Sequence, residues 1–209
     1  MEQVLLHCCC APCSAAIIEW MLAHDIRPTI YYYNPNIFPR EEYEKRKKEI
    51  TRYAEGLGLT VIDGDWEHDA WRERVKGLER EPERGRRCQS CFDMRLEAAA
   101  RKCAELGFAR FTTSLASSRW KSLEQVDAAG RRAQELVPSV LYWAKNWRKD
   151  GLQERRRELI RLNNFYNQQW CGCEFSYEAM VKWRAEKAAR EAASACSCDT
   201  SGVMQEKSS

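Results

Sequence analysis

The period of apolar positions changes several times along the chain, and each change marks an expected element. Residues 3–7, QVLLH, form a short apolar run of strand length that stops abruptly at a group of cysteines. AAIIEWMLA then has its apolar positions spaced for a helix, and Pro12 falls where the first turn begins, a place that tolerates a missing N–H. The cysteine loop is therefore expected over a helix N-terminus. IRPTIYYYN reads as a β-branched and aromatic strand, and NPNIFP as an irregular loop at its end. REEYEKRKKEITRYAEGLG reads as a charged helix stopped by Gly56 and Gly58, with the strand LTVIDG after it.

Between Trp66 and Arg87 the chain is polar, and a helix breaking into a loop around Glu81-Pro82 is expected. CFDMRLEAAARKCAELG is rich in strong helix formers, with Gly107 as its stop. FARFTTSLA follows as strand, residues 121–136 as helix, VPSVLYW as strand, and GLQERRRELIRLNNF as helix before a CGC turn. Residues 177–193 are again helical in pattern, after which the composition shifts to Ser, Cys and Thr. Alternating strands and helices predict an α/β fold: a Rossmann-like, mainly parallel sheet flanked by helices, with extra helical segments toward the C-terminus. One domain over residues 1–193 and a disordered tail over 194–209 are expected.

A chain of 209 residues with 44% hydrophobic content supports one buried core. The net charge of +3 is too small, against 31% charged residues, to mark a nucleic-acid binder by itself. No run approaches the roughly 20 apolar residues of a membrane span, and the first residues lack a basic leader with an apolar segment. The expected compartment is the cytoplasm, with neither membrane nor DNA as a partner.

Cysteine usage changes the picture most. Eleven cysteines in a reducing compartment do not form a disulfide framework, so metal binding or redox chemistry is the leading account. They are grouped: Cys8, Cys9, Cys10 and Cys13; Cys88 and Cys91; Cys171 and Cys173; Cys196 and Cys198; and Cys103 alone. Cys88 and Cys91 fall at a predicted helix start, where residues three apart are neighbours, and Arg86 and Arg87 precede them as thiolate-favouring cations. The first group lies at the carboxyl end of the first strand, where open parallel sheets bind ligands. Thiolates from two remote segments suit an iron-sulfur cluster. Spacing leaves open which of the four N-terminal cysteines are ligands. Structural zinc also takes four thiolates, but adjacent cysteines and a surplus of thiols depart from the usual zinc spacing. In CGC the single Gly172 permits a tight bend, which suggests a strained, easily reduced disulfide and a two-electron thiol switch. Cys103 reads as core packing, and Cys196 and Cys198 as incidental to a polar tail.

In order along the chain, HCCCAPCS, YYNPNIFPREEYEKR, GRRCQSCFDMRLEAAA, FTTSLASSRWKS, KNWRKDGLQERRREL and NNFYNQQWCGCEFS resemble the cobalamin-independent epoxyqueuosine reductases. The resemblance covers residues 7 to about 177. It implies a 4Fe-4S cluster on Cys9, Cys10, Cys88 and Cys91, a redox-active pair at Cys171 and Cys173, and an adjacent mononuclear iron for which Cys13 is the candidate ligand. Cys8 stands where the family does not usually have cysteine. The implied reaction reduces the epoxide of epoxyqueuosine in a tRNA anticodon loop to an alkene and water, with two electrons from an unidentified donor and two protons. Two basic segments are candidate RNA contacts: residues 145–161 with Trp143 and Trp147, and Arg119 with Trp120 and Lys121. His7, ending a buried strand, is expected to be hydrogen-bonded in place.

Two other classes compete. A zinc-stapled RNA-binding module would use the thiols only to hold the fold. An ATP-dependent tRNA thiolation enzyme would need a glycine-rich phosphate loop after the first strand, where this chain has HCCCAPCS.

Overall fold

A computed structural model describes residues 2–198, with side chains to residue 193, so Cys196, Cys198 and the rest of the expected tail lie outside what the side chains can address. Five strands, β1 (Glu2–His7), β2 (Ile26–Tyr32), β3 (Val61–Asp63), β4 (Arg110–Thr113) and β5 (Leu141–Tyr142), form one sheet in the order β3-β2-β1-β4-β5. Every pairing is parallel. Seven helices flank it among the described residues: α1 (Ala11–Ala23), α2 (Arg40–Gly56), α3 (His68–Arg74), α4 (Arg86–Glu105), α5 (Leu123–Leu136), α6 (Leu152–Leu162) and α7 (Glu174–Cys198). The expected α/β architecture is present.

Central β1 explains why the sequence reads as a continuous apolar run. Leu5 sits between Thr29 and Phe111, and Leu6 between Ile30 and Thr112. Val4, Leu5 and Leu6 are wholly buried because helices cover both faces of a parallel sheet. On α4, Phe92, Leu96, Ala99, Ala100 and Cys103 repeat at three- and four-residue steps and form its buried stripe. Gly107, at φ 70°, ends that helix as expected.

The winding places the site. From β1 the chain steps outward through β2 to β3, then returns to lay β4 on the other side of β1. Loops leaving the carboxyl ends of β1 and β4 therefore diverge, and a crevice opens between them. Cys8, Cys9 and Cys10 lie on one lip, and the 3-10 turn Ser114–Ser117 on the other.

Several expected boundaries move, each for a local reason. FARFTTSLA is strand only to Thr113, because the Thr113 hydroxyl accepts from Leu115 N–H and turns the chain into the 3-10 helix. VPSVLYW yields only the two-residue edge strand β5. The helix after Trp66 ends at Arg74, with Gly77 at φ 80° in the turns that follow, well before Glu81-Pro82. At the other end, α7 continues through Cys198, past the boundary expected at residue 193.

Candidate active site

Three thiols converge at the N-terminus of α1. Cys10 is the N-cap, and Pro12 occupies the first turn. The sulfurs of Cys9, Cys10 and Cys13 lie within 4.8 Å of one another, all buried, and this group can hold a metal ion. Cys9 and Cys10 are 3.7 Å apart at Sγ. Ser114 ties the nest to the opposite lip, accepting from Cys9 N–H at 3.0 Å and donating to Cys9 Sγ at 3.4 Å. Hydrogen bonds from the Cys10 and Cys13 thiols, helped by the Lys121 ammonium, hold Cys9 well below the ordinary thiol range. Burial pushes Cys10 well above it.

Cys8 is different. Its sulfur stands outside the group of three, its N–H pairs with Tyr31 as a continuation of β1, and burial keeps its thiol protonated. It belongs to the core.

Cys88 and Cys91 lie in the first two turns of α4, as expected, and line the same cavity as Cys9 and Cys13. The cavity has a volume of about 460 Å³. At Cys88 the expected cationic lowering by Arg87 is outweighed by burial. Arg86 is turned to Glu81, Arg87 to the carbonyls of Leu78, Glu79 and Glu81, and burial raises the Cys88 thiol despite a hydrogen bond from Arg84 N–H. Such a thiol gives up its proton on binding a cation, so metal affinity here is coupled to pH.

Arg95 and Asn34 join the two cysteine segments from behind. Arg95 donates to the Cys91 carbonyl at 3.2 Å and to Asn34 Oδ1 at 3.5 Å, while Asn34 Nδ2 donates to the Cys8 carbonyl at 2.9 Å. Both side chains are buried. Nothing in the sequence marks them: an arginine inside a helical pattern reads as solvent-facing.

Cys171 and Cys173 come to the mouth of this cavity on the loop before α7. Their sulfurs are 3.6 Å apart, with Cys173 buried and Cys171 exposed. Hydrogen bonding with Cys173, the nearby Lys121 and Ser176 lower the Cys171 thiol well below its ordinary range, and Cys173 rises in turn. The loop is held by a buried ion pair, Glu42–Arg46 at 2.6 Å, whose guanidinium also reaches the carbonyls of Cys171 and Trp170 at 3.3 and 3.4 Å. Gly172, at φ 115°, lies where a Cβ would come within 2.9 Å of Ile37. The bend therefore requires glycine.

The cavity lining is strongly cationic. Arg46, Arg84, Arg87, Arg95, Lys121 and Arg156 line it against a single carboxylate, Glu83. Burial works against the Lys121 charge, the Cys9, Cys171 and Cys13 sulfurs outweigh it, and Lys121 lines the cavity these thiols share. Arg156 reaches Cys13 Sγ at 3.9 Å and Gln168 donates to Cys10 Sγ. Burial and the Cys171 sulfur raise the Glu83 carboxyl. Asn36 Oδ1 and Trp71 Nε1, on buried side chains of the lining, have no hydrogen-bond partner. Sequence reading missed Glu83, Gln168, Asn36 and Trp71, and only their neighbourhood of the cysteine motifs hints at them.

The remaining expected residues resolve plainly. His7 is wholly buried between Thr113 Oγ1 at 2.8 Å and the Tyr33 carbonyl at 3.0 Å, and burial with Arg95 nearby lowers its pKa to about 4, so it stays neutral and fixed. Cys103 is core, bonded to the Phe108 carbonyl. In the basic run 145–161, three of the expected contacts are taken up by the protein itself. Trp147 is wholly buried against Trp20 and Trp143, and Arg155 and Arg157 are engaged by Glu19, Glu158 and Glu154.

Comparison with known proteins gives this arrangement its relatives. The sequence model of the family described as "Epoxyqueuosine reductase QueH" matches residues 4–179. The protein of that name from Haemophilus influenzae is 48% identical over 185 residues, covering 88% of this chain and 76% of the relative. That from Acinetobacter baylyi is 46% identical, covering 88% and 84%, and that from Thermotoga maritima 32% identical, covering 84% and 91%. The matched span contains the thiol nest, the α4 pair and the CGC loop alike, and the chain therefore belongs to the epoxyqueuosine reductase QueH family.

Proposed function

We propose that this chain reduces the epoxide of epoxyqueuosine in a tRNA anticodon loop to the alkene, with Cys9, Cys10, Cys88 and Cys91 holding a 4Fe-4S cluster, Cys13 contacting an adjacent iron, and Cys171 with Cys173 as a redox pair. The observation that supports it most is one cavity lined by thiols from three remote segments. An all-sulfur donor set fits an iron-sulfur group. Bound there, the cluster would supply electrons singly, whereas the CGC dithiol releases two on closing to a disulfide.

The chain's own residues supply binding and protons. Six cations around one carboxylate favour both thiolates and an anionic RNA substrate. Opening the epoxide consumes two electrons and two protons and releases water. Glu83, whose carboxyl is raised by burial and the Cys171 sulfur, is the one carboxyl in the lining able to relay a proton. Asn36 Oδ1 can accept from, and Trp71 Nε1 donate to, the polar edge of the bound nucleoside.

Oxygen-free protein incubated with a chemical reductant and epoxyqueuosine-containing tRNA should yield queuosine on nucleoside analysis. Unchanged epoxyqueuosine with fully metal-loaded protein would overturn the reading.

A further inference from the structure

Residues 118–121 form a lip shared by two cavities. Trp120 and Lys121 face the thiol cavity, while Arg84, Arg119, Lys121 and Arg148 line a more open depression of about 620 Å³ at the N-terminus of α5. Every carbonyl of the lip is held by an arginine. Arg148 Nη2 donates to Ser118 and Lys121 at 2.6 and 2.9 Å, and Arg84 to Trp120 and Arg119 at 3.1 and 3.4 Å. With its carbonyls held by arginines, the segment exposes the side chains of Arg119 and Trp120, while Ser118 is buried and Lys121 half-buried. Trp120 is 68% exposed, with the Arg119 guanidinium 5.0 Å from its ring centroid.

Two features of the lip need a partner. A large aromatic held in water on a fixed backbone gains nothing from the fold itself. Among the described residues, none of Arg84, Arg119, Lys121 or Arg148 forms an ion pair, and the carboxylates lining the two cavities are Glu83 and Glu124. Arg148 Nε is buried with no partner, and burial together with Arg84 lowers its pKa, as expected for crowded cations. Cations without carboxylate partners beside an exposed, pre-oriented tryptophan match the two chemical faces of an unpaired nucleotide, phosphate and base. On and before α6, Trp147 is wholly buried and Arg155 and Arg157 pair with carboxylates, so this stretch offers no exposed tryptophan beside its cations.

We propose that this lip docks single-stranded RNA beside the thiol cavity, with Trp120 stacking on an unpaired base and Arg119, above the Arg84 and Arg148 charges, taking an adjoining phosphate. The proposal rests on the reading that the substrate is tRNA. It adds which residues hold the loop while the modified nucleoside reaches the thiols.

The test is the affinity of metal-loaded wild type, Trp120→Ala, Trp120→Phe, Arg119→Gln and Arg157→Gln for epoxyqueuosine-containing tRNA, at several salt concentrations. Circular dichroism and iron content report folding independently. Trp120→Ala should weaken binding roughly tenfold or more, and Trp120→Phe should retain most of it. Arg119→Gln should reduce the slope of log affinity against log salt by about one, and Arg157→Gln should match wild type. Wild-type affinity in Trp120→Ala and Arg119→Gln, with turnover intact in the wild type, would overturn the lip and leave the reductase reading standing. If those variants kept RNA affinity and lost only reduction by a protein electron donor, the lip would belong to that protein and the proposal would also fall. A wild type that neither bound nor reduced the tRNA would remove both.

Discussion

The thiol nest at α1 and the CGC loop before α7 bring cysteines to one cavity by opposite means. Cys9, Cys10 and Cys13 are placed by main chain: a central strand ends, a helix begins, and their positions follow from sheet register. Cys171 and Cys173 are placed by side chains, through Arg46 and Glu42 on α2 and the close approach at Gly172. The nest thus rests on the central strand and the helix after it, and the pair of exposed Cys171 and buried Cys173 on a side-chain clamp.

The contrast can be broken most strongly at the nest. Cys9→Ser should remove one of the converging thiolates and lower activity by about a hundredfold or more, exceeding the usual loss from an outer partner, with iron content falling in parallel. Full activity with full iron would contradict the assignment. Replacing both Cys171 and Cys173 by Ser should leave iron content intact while multiple turnover drops roughly a hundredfold or more, the low end for a lost proton carrier. Iron loss in that variant would instead make the loop part of the metal cage.

The clamp gives a third separation. Arg46→Met leaves the Glu42 carboxylate buried and unpaired, and should cost about 3–5 kcal/mol in denaturant unfolding. Faster alkylation of Cys171 at unchanged iron content would show that the loop, and not the nest, has been released. The smallest effect is expected at Cys8. Cys8→Ala removes only a buried sulfur from the core, so stability should fall by about 1 kcal/mol and activity should persist. Loss of iron on that change would move Cys8 into the ligand set.

Much of the architecture was readable because period and punctuation agree with tertiary structure here. The apolar run of β1, the Pro12 start of α1, the Gly107 stop of α4 and the CGC bend are all local signals. The cysteines were conspicuous by grouping alone. What sequence could not show is what side chains do when buried against expectation. Arg46 and Arg95 sit in charged helical stretches yet point inward to hold carbonyls of the cysteine segments, Arg87 turns inward to carbonyls of the 78–81 loop, and Trp147 leaves a basic run to fill the core. Short elements escaped for a related reason. β5 is two residues long because its edge position asks for little pairing, and a hydroxyl cap on Thr113 ends β4 where propensity would have continued it.

The claim on which the rest depends is that thiols from β1–α1 and α4 enclose iron and sulfide together. Elemental and acid-labile sulfide analysis of wild-type protein, purified without oxygen, tests it directly. About four irons and four sulfides or more per chain, with a brown absorbance that bleaches on reduction, is the predicted result. One tightly held zinc per chain with no sulfide would contradict it.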